Sequence, residues 1–207
     1  SRYHSTLNTG WEPLRRIEYQ EDWSDLMGVG PDELSPMTSE FLVEAQSGGT
    51  CVVRVTTSGF GTGAEWEREW WDDMGANWKP FFDNLRLYLA NFPGQEAARL
   101  EAAAIHPSDA ATLLATAHAE LGLGAEGSDV VVRGTTGTVE RVFSGQTLVR
   151  LTAPVPGMLN VYAHEMGEDK AMVGVRAYLF SPDAAEYVER EQPAWQQWLD
   201  GLSVPTS

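Results

Sequence analysis

The chain has 207 residues, 43% of them hydrophobic, and thirty acidic against fourteen basic residues give a formal net charge of −16. An acidic surface of this kind repels phosphate backbones and anionic lipid, which argues against nucleic acid or a membrane surface as a partner. No run of about 18 apolar residues is present, and the single cysteine, Cys51, excludes an internal disulfide. Because the first residues lack the apolar core of a signal peptide, we predict a cytoplasmic protein.

Alternating apolar and polar residues predict four strands in the first part of the chain. They cover residues 5–8, 15–19, 37–45 and 50–58. Residues 10–13 and the sequence SGG at 47–49 are the predicted turns of two hairpins. The acidic residues 21–36, broken by Gly and Pro, predict a surface loop between the hairpins.

A stripe of large apolar residues at steps of three or four predicts one long amphipathic helix over residues 62–92. The stripe consists of Trp66, Trp70, Met74, Trp78, Phe81, Leu85, Leu89 and Phe92. Thr62 and Glu65 have the spacing of a capping box. Pro80 removes a backbone hydrogen bond, so we expect a kink or a 3₁₀ turn between residues 77 and 81. A stripe of this size needs a concave partner such as a curved sheet.

The second half of the chain predicts one helix, a series of short strands and a final helix. Residues 97–105 have helical propensity but fit a strand or a linker equally well. The helix covers residues 107–121, the strands cover residues 129–133, 137–143, 146–153, 159–164 and 170–180, and the final helix covers residues 182–202 with Ser181 as its N-cap.

The two long helices share a sequence pattern. WKPFFDNL at residues 78–85 and WQQWLDGL at residues 195–202 carry Trp, an aromatic, an apolar residue, Asp and Leu at the same offsets. Each half therefore consists of strands followed by a Trp-bearing helix, which indicates an internal repeat, although a match of eight residues also arises by chance.

Three segments of the first half resemble a known superfamily. They are the strand pair TGWEPLRRIEY, the strand VVRVTTSGFG and the helix pattern W-x-x-F-F-x-N-L-R-x-Y-L. Over residues 3–94 the chain resembles the START-like helix-grip superfamily (SRPBCC), and within it the bacterial proteins named after the activator of the heat-shock-protein ATPase. The resemblance implies an antiparallel sheet wrapped around a long helix with a cavity between them. Many such proteins bind apolar small molecules, some are cyclases, and the name-giving eukaryotic members dock on a chaperone.

The chain departs from this family before the strand pair, where the family's first strand and helices have no counterpart. It is a fragment, takes those pieces from another copy, or has an eroded first domain. We predict an α+β protein of two consecutive helix-grip units: an incomplete domain over residues 1–96, without the usual N-terminal strand and helices, and a smaller helix-grip-like domain over residues 97–207. The strand edges at the incomplete end predict pairing with a second copy as a homodimer.

The histidines and the residues beside them do not have the sequence spacing of a catalytic or metal-binding site. His4, His106, His118 and His164 are not placed as metal ligands, and His118 fits a structural histidine on its helix. His164 and the adjacent Glu165 point to opposite faces of a strand, which argues against a proton-transfer pair. We therefore predict no catalytic residue, no metal and no cofactor.

Five acids occupy the first two turns of the long helix. They are Glu65, Glu67, Glu69, Asp72 and Asp73. They fit a solvated face favoured by the helix dipole, or a docking face for a basic partner such as a chaperone.

The aromatic stripe is the remaining candidate site. The stripe fits a solid hydrophobic core. If the sheet leaves space beside the helix, the stripe instead lines an apolar cavity. The predicted ligand-binding residues are Phe60, Trp66, Trp70, Met74, Trp78 and Phe81. Arg54, on the preceding strand, anchors an acidic ligand if it points inward and forms a surface salt bridge if it points outward.

We accordingly predict a non-catalytic binding protein for an apolar small molecule. A chaperone-interacting protein and a cyclase-like enzyme are the alternatives, and for the enzyme the sequence offers no convincing acid or base.

Overall fold

The computed structural model describes residues 6–22, 24, 36–59, 65–167 and 169–203, and for residues 6 and 65–77 it describes the backbone alone. The chain forms two compact units, residues 1–76 and residues 77–207. The division falls inside the long helix, whereas the sequence places a domain boundary between residues 96 and 97, and that boundary stays a prediction. Residues 25–35 of the predicted surface loop lie outside the described residues.

The first unit contains an antiparallel sheet with the strand order β1-β2-β3-β4. Its strands are β1 (Thr6–Glu12), β2 (Arg16–Glu21), β3 (Met37–Ala45) and β4 (Cys51–Ser58), with a 3₁₀ turn at Ser47–Gly49. One face is apolar, and there the rings of Tyr19 and Phe41 stack with centroids 6.1 Å apart. The other face is charged, and there Arg16 donates to Glu40. The four strands predicted from alternation are confirmed.

The first hairpin turn lies later in the chain than predicted. Gly10 is inside β1, beside a β-bulge that follows Asn8, and the amide of Arg15 closes the turn on the carbonyl of Glu12 at 3.0 Å. A Cβ at position 10 would lie 2.6 Å from Nη1 of Arg16. Glycine therefore makes room for a guanidinium in the strand, and the predicted turn at residues 10–13 is wrong.

The long helix α1 (Glu65–Asn91) follows the first sheet, and its part from residue 77 onward belongs to the second unit. It is α-helical through Pro80, so the 3₁₀ turn expected there is not formed. Thr62 of the predicted capping box lies outside the described residues.

The second unit contains a six-stranded antiparallel sheet in the order β5-β10-β9-β8-β7-β6. Its elements are β5 (Ala98–His106), α2 (Ala110–Leu121), β6 (Asp129–Val132), β7 (Thr135–Val142), β8 (Gln146–Ala153), β9 (Gly157–Glu165), β10 (Ala171–Leu179) and α3 (Ala184–Asp200). The protein is thus α+β, with a large antiparallel sheet followed by a C-terminal helix. The elements of this unit therefore follow the order strand, helix, strands, helix.

Strand β5 resolves the alternatives left open for residues 97–105. It pairs with β10 over its whole length, from Ala98 opposite Leu179 to His106 opposite Ala171. As a strand, it directs Leu100 and Ala102 into the core on the same face. This pairing and burial outweigh the local helical propensity of an alanine-rich segment.

The core of the second unit lies on one face of its sheet, between the sheet and the helices α2 and α3. We call it the core face. The odd-numbered residues of β9 and β10 point there, and Val161, Val173, Val175 and Leu199 of this core are fully buried. The four residues predicted for the apolar side of α2 are all buried, which confirms that prediction: Leu113, Leu114, Ala117 and Leu121.

Two histidines contribute polar contacts at the core face. Nε2 of His118 lies 2.9 Å from the hydroxyl of the fully buried Thr147, and Nε2 of His106 lies 2.9 Å from the carbonyl oxygen of Leu199. Burial lowers the pKa of His118 below its ordinary value. The structural role predicted for His118 is confirmed.

The ends of α2 and α3 differ in their caps. Asp109 accepts the amide of Thr112 at 2.8 Å, and Gly122 ends α2 with φ of 67°. Asp183, rather than Ser181, occupies the N-cap position of α3. The predicted Ser181 cap is therefore wrong, and its hydroxyl is buried without a hydrogen-bond partner in the described residues.

Among the described residues, no helix is both long enough and apolar enough to cross a membrane.

Candidate functional site

The second face of the six-stranded sheet carries polar side chains. Because side chains alternate along a strand, the even-numbered residues of β9 and β10 point away from the core. They include Met158, Asn160, Tyr162 and His164 on β9 and Arg176 and Tyr178 on β10. Residues of the second part of α1 contact this face, which we call the α1 face. Polar groups are thereby held in a partly buried surface.

The side of α1 that meets the sheet coincides only in part with the predicted stripe, of which Phe92 is buried. Pro80 and Leu87 are buried, whereas Leu89, which belongs to the stripe, is 52% exposed. Asn84, between them on the helix, bonds to the sheet. The sheet therefore meets the side of α1 that carries Asn84 as well as part of the predicted stripe.

Asn84 and Asn160 form a reciprocal pair. The side-chain nitrogen of each donates to the side-chain oxygen of the other, both at 3.2 Å. Asn160 is only 6% exposed, so an unpaired amide here would be costly. The pair fixes α1 against β9 at one point and leaves space on either side.

Aromatic residues close one end of the α1 face. The ring of Phe180 stacks on that of Phe92 with centroids 4.3 Å apart and lies 5.6 Å from that of Tyr88. These residues cluster with Leu87, Leu148 and Met158. This apolar cluster seals the helix to the sheet beyond the asparagine pair.

A groove of about 580 Å³ lies between α1 and strands β8, β9 and β10. Its lining from the helix and the following loop consists of Pro80, Phe81, Asn84, Leu85, Tyr88, Gln95 and Ala97. Its lining from the sheet consists of Gln146, Met158, Asn160, Tyr162, His164, Arg176, Tyr178 and Phe180. Apolar and aromatic side chains therefore share the groove with several hydrogen-bonding groups.

Arg176 is the charged centre of the groove and is held by Glu101 of the neighbouring strand. Its Nε and Nη2 both donate to one oxygen of Glu101, at 2.9 and 2.6 Å, and the other oxygen of Glu101 accepts from Arg99. Burial disfavours both charges, but their mutual hydrogen bond and attraction outweigh it. The pKa of Arg176 is raised and that of Glu101 is lowered, so both groups are ionised at neutral pH.

Tyr162 and His164 follow Asn160 along β9. Their rings are 5.3 Å apart, and the guanidinium carbon of Arg176 lies 5.6 Å from the Tyr162 ring centroid. Burial raises the pKa of Tyr162, with Arg176 opposing the shift. Burial, and then the charge of Arg176, lower the pKa of His164. At neutral pH the phenol and imidazole are therefore uncharged hydrogen-bonding groups.

A glycine makes room for Tyr162. Gly174 of β10 lies opposite Tyr162 in the sheet, and a Cβ there would lie 2.6 Å from the phenol ring. The absence of a side chain lets the ring lie across β10 towards Arg176.

The structure places the predicted ligand-binding residues in different regions. Phe81 lines the groove and is 45% exposed, and its ring lies 5.4 Å from that of the half-buried Trp78. Arg54 is on the charged face of the first sheet and donates to Glu44 at 3.3 Å. Phe60 and the side chains of Trp66, Trp70 and Met74 lie outside the described residues. Binding by all of these residues stays a prediction.

The sequence reading missed the sheet residues of the groove, including Asn160, Tyr162 and Arg176. A partial signal was present in β9 and β10, since polar or aromatic residues alternate with apolar ones at 160, 162 and 164 and at 176 and 178. Strands with this alternation ordinarily have their polar face in solvent. The sequence of the strands therefore does not show whether a helix covers that face and forms a groove.

His164 and Glu165 do lie on opposite faces, as predicted. Glu165 accepts the backbone amide of Ala110 at 2.8 Å, at the start of α2, while His164 faces the groove. The pair is therefore no proton-transfer couple. Within the part of the chain that the structure describes, no three His, Cys, Asp or Glu side chains are grouped to hold a metal ion.

No protein-family model matches the chain, and no curated protein sequence matches it either. Among solved structures, CalU16 from Micromonospora echinospora matches with a TM-score of 0.39 and 10% identity, over 54% of this chain and 88% of its own. The di-domain ARO/CYC protein StfQ from the steffimycin biosynthetic pathway matches with a TM-score of 0.39 and 9% identity, over 94% of this chain and 84% of its own. DynU16, a protein of the dynemicin biosynthetic locus, matches with a TM-score of 0.35 and 15% identity, over 96% of this chain and 77% of its own.

Proposed function

We propose that this protein binds a largely apolar small molecule, without catalysis, and that the ligand lies in the groove of the second unit between α1 and the sheet. The observation that carries the proposal is the groove itself: about 580 Å³ of space lined by aromatic and apolar side chains with a few converging polar groups. Small-molecule sites generally have volumes of about 300–1,000 Å³ and this mixture of lining residues.

The distribution of packing supports this location. The core face is filled by buried aliphatic residues from α2, α3 and the strands. On the α1 face the asparagine pair and the aromatic cluster hold the helix at two places, while Phe81 and Leu85 remain partly exposed beside the space. A ligand that covers them gains hydrophobic burial without displacing any part of the core.

The test uses a neutral fluorescent dye, 1-N-phenylnaphthylamine, and two variants of α1. Leu85→Trp fills the groove with a larger side chain, and we expect at least tenfold weaker binding of the dye. Leu89→Trp is the matched control, because it makes the same change one turn further along the helix at an exposed residue outside the groove lining. It should bind the dye within twofold of the unmodified protein.

Equal dye binding by both variants would contradict the proposed site. Native mass spectrometry of the freshly purified protein supplies an independent measurement. An additional few hundred daltons that disappear on denaturation and are absent from Leu85→Trp would support the site and report the mass of the natural ligand.

A cyclase-like enzyme is the second candidate, and one observation favours it. The groove brings Tyr162 and an uncharged His164 together with ring centroids 5.3 Å apart, which supplies the acid and base that the sequence did not reveal. Turnover of a polyketide-type substrate that is abolished by both Tyr162→Phe and His164→Gln would support this function. Unchanged turnover in both variants would exclude these residues as its acid and base.

Two partner predictions from the sequence remain to be tested. The five acids proposed as a chaperone-docking face lie where only the backbone is described, and salt-sensitive binding to a bacterial heat-shock ATPase at micromolar concentration would support that partner. Light scattering tests the predicted homodimer, and a mass of one chain would contradict it.

A further inference from the structure

We propose that the groove selects ligands with one acidic group, such as a carboxylate or sulfonate, on a flat apolar body, and that Arg176 binds that group. This inference deepens the proposed function and depends on it. It follows from the charge of the groove, the hydrogen bonds of Arg176 and the order of polar and apolar residues along the sheet.

The charge of the groove is opposite to that of the protein. The chain carries a formal net charge of −16, with thirty acids against fourteen bases. Yet none of the described residues that line the groove is Asp or Glu, and Arg176 is its one formally charged lining residue when His164 is neutral. Because the rest of the protein is acidic and repels anions, an anionic ligand would be attracted specifically to Arg176.

The carboxylate that holds Arg176 does not cancel the local charge. Glu101 is shared by two guanidiniums, Arg176 through one oxygen and Arg99 through the other. Two guanidiniums thus share a single carboxylate. The cluster thus has one positive charge in excess, which a single acidic group on a ligand would balance.

Arg176 also retains donors for a ligand. A guanidinium has five N–H groups, and the bonds to Glu101 use Nε and one hydrogen on Nη2. No hydrogen bond within the described residues uses Nη1. Since Glu101 and β5 fix the orientation of the side chain, the ligand gains a preordered donor with little further loss of side-chain entropy.

Neighbouring groups extend the polar end of the groove. Tyr162 lies beside Arg176 and His164 lies beside Tyr162, and both are able to donate a hydrogen bond to an anion at neutral pH. The apolar end lies in the other direction, where Met158, Tyr88 and Phe180 surround the groove. Positions 176 and 180 are separated by about 13 Å along the strand. The groove therefore has Arg176 and its hydrogen-bonding neighbours on one side of Asn160 and an apolar end at Phe180.

The experiment compares two dyes that share an apolar body. 1-Anilinonaphthalene-8-sulfonate carries a sulfonate, and 1-N-phenylnaphthylamine lacks it. Arg176→Gln should weaken binding of the sulfonate dye at least tenfold, the effect expected for loss of a hydrogen bond to a charged group, and should change binding of the neutral dye by less than twofold. Arg176→Lys, which keeps the charge but not the planar donors, should fall between the two proteins.

Arg150→Gln is the matched control. Arg150 lies on the same face of the sheet and donates to a single glutamate, Glu140, at 2.7 Å, but it is outside the groove lining. It is 30% exposed against 40% for Arg176. The control should bind both dyes like the unmodified protein, and thermal melts of all variants establish that they are folded.

The possible results separate this inference from the proposed function. Loss of binding of both dyes in Leu85→Trp, with sulfonate binding unchanged in Arg176→Gln and Arg176→Lys, would retain the site and overturn the role of Arg176. Equal binding of both dyes by Leu85→Trp and Leu89→Trp would contradict the site itself. A sulfonate-specific loss that is as large in Arg150→Gln as in Arg176→Gln would also overturn the inference, because it would reflect general surface charge.

Discussion

The two faces of the six-stranded sheet are built from the same strands but carry different chemistry. On the core face, odd-numbered valines, leucines and alanines of β9 and β10 meet α2 and α3 and are almost wholly buried. On the α1 face, alternate residues of the same strands include Asn160, Tyr162, His164 and Arg176, and a groove remains beneath the helix.

The comparison teaches that a helix covering a sheet does not by itself make a core. Aliphatic side chains have no hydrogen bonds to satisfy, so they pack closely and exclude space. Asparagine, tyrosine and arginine must keep their partners when buried, and these partners are few and directional. The helix is then held at defined points, the Asn84–Asn160 pair and the aromatic cluster around Phe180, and space is left between them.

The largest expected difference between the faces is in stability, at two adjacent residues of β9. Leu159 points to the core face and is 1% exposed, and Leu159→Ala should lower the free energy of unfolding by about 3 kcal/mol through a new cavity. Met158 points to the α1 face and is 5% exposed. Met158→Ala should cost less, about 1–2 kcal/mol, because its side chain borders space that is already open.

Urea unfolding of the two variants measures this difference. Equal losses of stability would mean that the α1 face is packed as tightly as the core face, and would count against a groove.

A smaller effect is expected at the asparagine pair. Asn160→Ala removes the hydrogen bonds between β9 and Asn84, whose side-chain nitrogen then keeps only its bond to the carbonyl oxygen of Pro80, and should cost about 1–2 kcal/mol. The double variant Asn84→Ala/Asn160→Ala removes both amides, so its loss should be smaller than the sum of the two single losses. Strict additivity in a double-mutant cycle of urea unfolding would show that the pair does not hold α1 to the sheet.

The smallest effect concerns pH. Burial lowers the pKa of His118 in the folded protein below its ordinary value of 6.5, so the unfolded chain binds the proton more readily. The stability that the neutral histidine contributes is fully present above about pH 6.5 and is lost as the pH falls through the folded pKa. We expect His118→Gln to reduce the drop in urea midpoint between pH 7.5 and pH 5.5.

His164→Gln is the corresponding change on the α1 face. The pKa of His164 is lowered by burial and by Arg176, so its effect has the same sign. It should be smaller, since the side chain of His164 is more exposed than that of His118. An unchanged pH response of His118→Gln would contradict the contribution of that histidine.

The local sequence pattern predicted most helices and strands correctly, and its errors are confined to a few residues. The strands other than β5, and the helices α2 and α3, were recognisable from alternation, helical spacing and caps such as Gly122. The first hairpin failed because Gly10 indicates a turn by composition but serves a contact with Arg16 across the strands. The face of α1 was predicted only in part, because Asn84 contacts the sheet while Leu89 of the stripe is exposed.

The sequence by itself determined most of the strands and helices, because backbone propensity and side-chain period are properties of neighbouring residues, but it left β5 open. It also determined the chain's acidity and its single cysteine. Only the tertiary structure decided that Asn160, Tyr162 and Arg176 share a groove with Phe81 and Leu85. These residues come from segments far apart in the chain, and whether the second face of a strand meets water or a helix depends on contacts that no local pattern encodes.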